Sequence, residues 1–203
     1  MPDLSLLQKI GLDHARHLAE NGVPVFVAKR DPSQPLGFRL PPRWQHTEPD
    51  PGVVDTWVPG DALCAVMGHV VDAVDIDPRN GGTTAALDGV LPRVYGRQST
   101  PSGGCHWIVA ALGIRSRDGI LAGVDVKAGD AEGNGRGFIF LAPTERVSKQ
   151  TGAPVAYEWA EPPDIEALAI LGGDTSGTAL AEMVRAHGAV EEAHEPDYDG
   201  LAY

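Results

Sequence analysis

The chain is short of cysteine, of lysine, of aromatic residues and of long apolar runs, and it has no surplus of basic charge. Its two cysteines, Cys64 and Cys105, have no CxxC spacing. That excludes a disulfide framework and a structural zinc site, and two free thiols are expected. No apolar stretch approaches the roughly 20 residues of a membrane-spanning helix. The opening MPDLSLLQKI lacks the basic-then-apolar pattern of a secretory signal. A cytoplasmic location without membrane contact is therefore expected. The formal net charge of −12 is opposite in sign to that of most nucleic-acid binders. Its distribution changes that reading. From Glu158 onward 11 acidic residues face one basic residue, Arg185, whereas residues 1–157 carry 17 acidic and 15 basic residues. The acidity belongs to the tail, and divalent cations would neutralise several of the remaining carboxylates.

What is present is a chain of 203 residues, 42% of them apolar, enough for one sizeable domain with a small appendage. Leu4, Leu7, Gly11, Ala15 and Leu18 recur at helical spacing, and Asn21-Gly22 stops that helix. Strands are expected at Val23–Ala28, Leu63–Met67, Val70–Asp77, Cys105–Ala111, Val124–Ala128 and Gly137–Leu141. Asp50-Pro51 opens a short helix, Thr83 caps another running to about Leu91, and Gly133–Gly137 joins the last two strands as a β-hairpin. Beyond Tyr157 the pattern turns helical, with one helix from Pro162-Pro163 to Leu171, a second from Gly177 to a stop at Gly188, and a solvated tail over the last 15 residues. The irregular alternation of helices and strands predicts an α+β fold with a mixed or antiparallel sheet.

Three clusters could carry chemistry. In Val74-Asp75-Ile76-Asp77 the alternation of a strand sends Asp75 and Asp77 to one face. Two carboxylates there repel each other unless a cation lies between them, which suits Mg²⁺ or Mn²⁺ with phosphate oxygens. The competing reading is a polar strand end in which one carboxylate caps Asn80-Gly81. Thr100-Pro-Ser-Gly-Gly-Cys-His106 delivers His106 onto an apolar strand. Ser102, Gly103 and Gly104 could admit a phosphate that His106 also contacts; a plain hairpin before a core histidine fits the same residues. Cys105 and His106 face opposite ways, which rules out a thiol nucleophile with its base. In Gly123-Val-Asp-Val-Lys127, Asp125 and Lys127 share a face, as a metal ligand beside a cation or as a simple ion pair.

The order of these clusters resembles the bifunctional primase/polymerase N-terminal domain of the archaeo-eukaryotic primase superfamily. VDAVDIDPRNGG is similar to that family's first motif, TPSGGCHWIV to its second and GVDVKAGD to its third, and GFIFLAPT with VAYEW is similar to its closing strand and Tyr-x-Trp element. The resemblance spans most of residues 5–160. It implies an RRM-like sheet with a smaller N-terminal α/β unit; with the helical pattern after Tyr157, the chain is expected to divide into a catalytic domain at 1–160 and a helical, acidic extension at 161–203. It also implies DNA primase and polymerase activity in phage, plasmid or bacterial replication. Asp75, Asp77 and Asp125 would hold two divalent ions, Mg²⁺ or Mn²⁺, and His106 with these aspartates would form the catalytic set. Ser102, Gly103, Gly104, His106 and Lys127 would contact nucleotide. The expected partners are single-stranded DNA template and primer, NTP or dNTP, and a helicase domain or replication partner C-terminal to the chain. Two rival readings are a DxD-dependent nucleotide-sugar glycosyltransferase and a non-catalytic nucleotide- or nucleic-acid-binding module. Arg136, in the glycine-rich segment after the third motif, has no assigned role.

Overall fold

Local signals set the helix ends. The Ser5 hydroxyl accepts the Gln8 N–H at 3.2 Å, and the Gln8 side chain accepts the Ser5 N–H at 3.0 Å. This reciprocal cap opens helix α1 (Leu6–Glu20), which stops at Asn21 as its spacing predicts and buries Gly11, Ala15, Leu18 and Ala19. The computed structural model describes residues 4–148, 151–170 and 174–194. Asp50 caps a 3₁₀ turn over Pro51–Thr56, through a 2.8 Å bond to the Gly52 N–H. The helix expected from Thr83 to Leu91 is shorter, a 3₁₀ turn at Thr84–Leu87. Thr83 does cap it, but the N–H groups of Val90 and Leu91 both return to the Leu87 carbonyl and close the turn there.

The strands are β1 (Val25–Arg30), β2 (Phe38–Arg39), β3 (Ala62–Val66), β4 (Val71–Ile76), β5 (Val94–Ser99) and β6 (Cys105–Ala110), then β7 (Arg117–Leu121), β8 (Val124–Lys127), β9 (Phe138–Leu141), β10 (Glu145–Val147), β11 (Pro154–Ala156) and β12 (Glu158–Glu161). They form a four-stranded sheet ordered β2-β1-β3-β9, a six-stranded sheet ordered β12-β5-β6-β4-β8-β7, and the hairpin β10-β11. The pairings are antiparallel, in keeping with an α+β fold.

The segment Gly133–Gly137 is not a hairpin connection. Its backbone turns tightly, with Asp130 and Asn134 exchanging hydrogen bonds and the Gly137 N–H reaching the Ala128 carbonyl at 2.9 Å. The chain then leaves the sheet of β8, because the Gly137 carbonyl accepts the Met67 N–H and β9 pairs with β3. The four-stranded sheet is thus completed by a strand from far along the chain.

Alternation along β4 divides the interior. Val71 and Ala73 join Ile108, Leu63, Leu141 and the buried face of α1 in one apolar cluster. Val74 and Ile76, on the opposite face, join Val124, Val126, Val109 and three residues of helix α3 (Thr178–His194): Leu180, Ala181 and Val184. Each Val, Leu or Ile among them contributes roughly 1.5–3 kcal/mol by leaving water. Helix α3 does not stop at Gly188. That glycine is buried inside the helix, where an added Cβ would meet the Arg117 guanidinium, so its missing side chain makes room for β7. A shorter helix, α2, spans Glu166–Ile170. The expected stop at Gly172-Gly173 and the final residues 195–203 lie outside the described residues.

Asp72 is wholly buried and holds two turns, accepting the Gly68 N–H at 2.8 Å and the Leu112 N–H at 2.7 Å. Cys64 and Cys105 are free thiols. Among the described residues no helix is long and apolar enough to cross a membrane.

Candidate active site

Register on the six-stranded sheet brings the candidate residues together. Asp75 on β4 lies directly opposite His106 on β6 and opposite Asp125 on β8, and His106 lies opposite Gln98 on β5. Directly opposed residues of antiparallel strands share a face, with Cβ atoms about 5 Å apart. One row across four strands therefore reads Gln98, His106, Asp75, Asp125. Lys127 stands in the adjoining row, opposite Ala73. Two members of the row, Asp75 and His106, line a cleft of about 450 Å³ together with Asp118, Lys127 and the aromatic side chains Trp44, Phe138, Phe140 and Tyr157; Asp125 and the fully buried Gln98 do not line it.

Asp75 is the member with the most perturbed carboxyl. Burial, opposed by the charge of Lys127 and reinforced by Asp125, Asp77 and Asp118, pushes its carboxyl up to about 6. Among the described residues nothing donates a hydrogen bond to it. The nearest basic atom is His106 Nε2, 3.7 Å away and beyond hydrogen-bond range. Its neighbours on the row are better provided for. Asp125 accepts the Gly119 N–H at 2.7 Å and Lys127 Nζ at 3.1 Å, and Lys127 also pairs with Asp118.

Asp77 lies just past the end of β4, where it caps the turn Pro78–Asn80. It accepts Arg79 N–H at 3.0 Å, Arg79 Nη2 at 2.7 Å and Asn80 Nδ2 at 3.2 Å. The hydrogen bonds from Arg79 hold its carboxyl below the usual range. Asp77 thus takes the capping role of the competing reading, and it does not line the cleft that Asp75 lines.

The second motif forms the turn between β5 and β6. Gly103 takes a positive φ of 81°, and Gly104 packs so tightly on the Ile76 carbonyl and the Asp77 backbone that any side chain would collide. Ser102 bonds Thr100 Oγ1 at 2.8 Å and lines a smaller hollow of about 130 Å³ with Arg79, Arg146 and Tyr157. Ser102 is thus not in the row of Asp75. It borders the same region, because Arg146 and Tyr157 line both spaces.

His106 is buried, and burial with the charge of Lys127 pushes its imidazole down to about 3, so it is neutral at ordinary pH. Its ring stacks on Tyr157 at 5.7 Å, and burial pushes that phenol up to about 12.

The family model for the bifunctional DNA primase/polymerase N-terminal domain matches residues 15–174. The chain belongs to this family. No curated protein matches it. The chemistry of a DNA primase/polymerase is nucleotidyl transfer, with DNA and nucleotides as substrates. The matched segment of this primase/polymerase domain ends before α3, yet α3 covers the apolar face of the sheet that bears Asp75.

Sequence reasoning missed Gln98, Asp118, Arg79 and Arg146. Gln98 could have been found by counting outward from the Thr100–Gly104 turn, which pairs Ser99 with Cys105 and Gln98 with His106. Asp118 gives less away, because β7 is irregular, with a register shift between Arg117 and Leu121. Arg136 borders the cleft and donates to the Gln45 carbonyl at 3.0 Å, tying the glycine-rich loop to the Trp44 segment.

Among the described residues no group of three His, Cys, Asp or Glu stands ready to hold a metal ion. The donor chemistry nevertheless fits a hard divalent cation. Asp75 is a carboxylate without a donor among like charges, and Lys127 and Arg79 occupy the carboxylates on either side as internal counter-ions.

Proposed function

We propose that this domain joins nucleotides on a DNA template, both starting primers and extending them, with Asp75, Asp77 and Asp125 as the ligands of two divalent ions, Mg²⁺ or Mn²⁺. The observation that supports this best is the register that sets Asp125, Asp75 and His106 side by side on one face of the six-stranded sheet. Bound there, the cations supply charge neutralisation at the triphosphate and acidify the attacking 3′-hydroxyl. The protein's own part is placement. Lys127 releases Asp125, and Arg79 releases Asp77, freeing two cationic heads next to the incoming phosphates. His106 offers a hydrogen bond to a phosphate oxygen. The turn carrying Ser102, Gly103 and Gly104 borders the hollow where Arg79 and Arg146 converge, a second station for the same triphosphate. The aromatic lining of the cleft offers apolar surface to a base. The proposed setting is replication of phage, plasmid or bacterial DNA, with single-stranded template and primer as partners.

The test is the pair Asp75→Ala with Asp77→Ala, assayed for primer synthesis and primer extension on single-stranded DNA with Mg²⁺ and with Mn²⁺. We expect both activities to vanish while the far-ultraviolet circular dichroism of the fold survives. Undiminished activity in that double variant would falsify the assignment. Nucleotide-sugar turnover by the unaltered protein, in place of template-directed incorporation, would overturn it in favour of a glycosyltransferase.

A further inference from the structure

Gln98 has no exposed surface, and three hydrogen bonds fix its side-chain amide. Two of them run to main chain. The Ala142 N–H, which can only donate, lies 2.8 Å from Oε1, and the Phe140 carbonyl, which can only accept, lies 2.7 Å from Nε2. The identity of the two amide atoms is thereby settled by groups with no choice of role. The second hydrogen of Nε2 points to His106 Nδ1 at 3.1 Å. A donor facing Nδ1 leaves that nitrogen no room for a proton of its own. The proton of the ring must sit on Nε2, on the side of Asp75, where the 3.7 Å separation leaves the N–H unspent.

We infer that Gln98 is a positioning residue that fixes His106 as its Nε2–H tautomer and so holds a neutral hydrogen-bond donor pointed at the phosphate site. Because Phe140 and Ala142 come from the strand end of the four-stranded sheet, the far sheet in effect sets the proton position on the near one. The reasoning rests on the functional reading above only for what the donor serves; the tautomer itself does not depend on it.

The first test is the ¹⁵N spectrum of histidine-labelled wild-type protein. His106→Gln identifies the resonances by their loss among those of the seven histidines. We expect Nδ1 of His106 in the unprotonated range and Nε2 in the protonated range, and Gln98→Glu, an acceptor of nearly the same shape, should move the proton onto Nδ1. A wild-type spectrum with Nδ1 protonated overturns the inference, and this result needs no variant of Gln98 to fold. The second test is a double-mutant cycle on the Kd for dATP with Mn²⁺. Gln98→Met should weaken binding by about tenfold in the presence of His106, as expected for a misdirected hydrogen bond to a charged group, and have little effect in a His106→Gln background. Equal losses in both backgrounds would show that Gln98 merely joins the two sheets, and would overturn the positioning role. Primer synthesis that persisted without Asp75 and Asp77 would sink the polymerase reading while leaving the tautomer result intact.

Discussion

Replacing Asp75 by asparagine should make the metal-free protein more stable while abolishing its activity. The carboxyl titrates near 6 in the fold against an ordinary value of 3.8, chiefly because it is buried, with Lys127 opposing and the nearby acidic groups adding to the rise. A raised folded-state value means that the folded chain binds this proton more tightly than the unfolded chain does. The group is therefore neutral in its effect below about pH 4, and it erodes stability as pH climbs through the window up to about 6. Above that window the deficit levels off near 3 kcal/mol, or about 2 kcal/mol once some solvent screening is allowed for. The amide of Asp75→Asn carries no charge and escapes this penalty. The assay is urea unfolding in EDTA at about pH 4 and about pH 8. We expect the variant to gain about 2 kcal/mol over wild type at the higher pH and close to nothing at the lower. Mn²⁺ should then narrow the gap by binding the wild-type carboxylate alone. A variant equal to or less stable than wild type at pH 8 would refute the picture of a carboxylate held in wait for a cation.

Three further outcomes follow from the packing. Asp72→Ala leaves the half-buried Leu112 N–H without its acceptor and should cost about 1–3 kcal/mol in urea unfolding at about pH 5, below the value of about 7 to which burial raises this carboxyl, with no direct effect on nucleotide affinity. Leu180→Ala opens a void in the cluster it shares with Val124 and Val126 and should cost about 2–4 kcal/mol by the same measurement, showing that α3 belongs to the core of the fold. Gly104→Ala forces the second-motif turn away from the end of β4, and should raise the KM for nucleotide severalfold in primer extension; an unchanged KM would separate that turn from nucleotide binding.

Much of the site was legible because a strand has only two faces. Once Val74 and Ile76 are given to the interior, Asp75 has a single place to go, and the same logic fixes Asp125 and His106. The cap at Asp50 and the stop at Asn21-Gly22 were equally readable, since both are local chemistry. What the sequence could not display was register between distant strands. Gln98 looks like any polar strand residue until the β5–β6 turn is counted out, and Asp118 sits on a strand too irregular to announce its alternation. The glycine-rich segment before β9 carries every mark of a hairpin, and only the partner on β3 sends the chain elsewhere. Gly188 reads as a helix stop because its neighbour Arg117 is invisible from position 188.

The passage of the chain from the six-stranded sheet into β9, and its return as β12, has a consequence for anyone dissecting the molecule. Neither sheet corresponds to a continuous stretch of polypeptide, so no pair of cuts can liberate one intact. Nicking the loop between β8 and β9 should yield two pieces that stay clasped together under native conditions. The distant pairings this weaving requires also predict slow folding for a chain of this size.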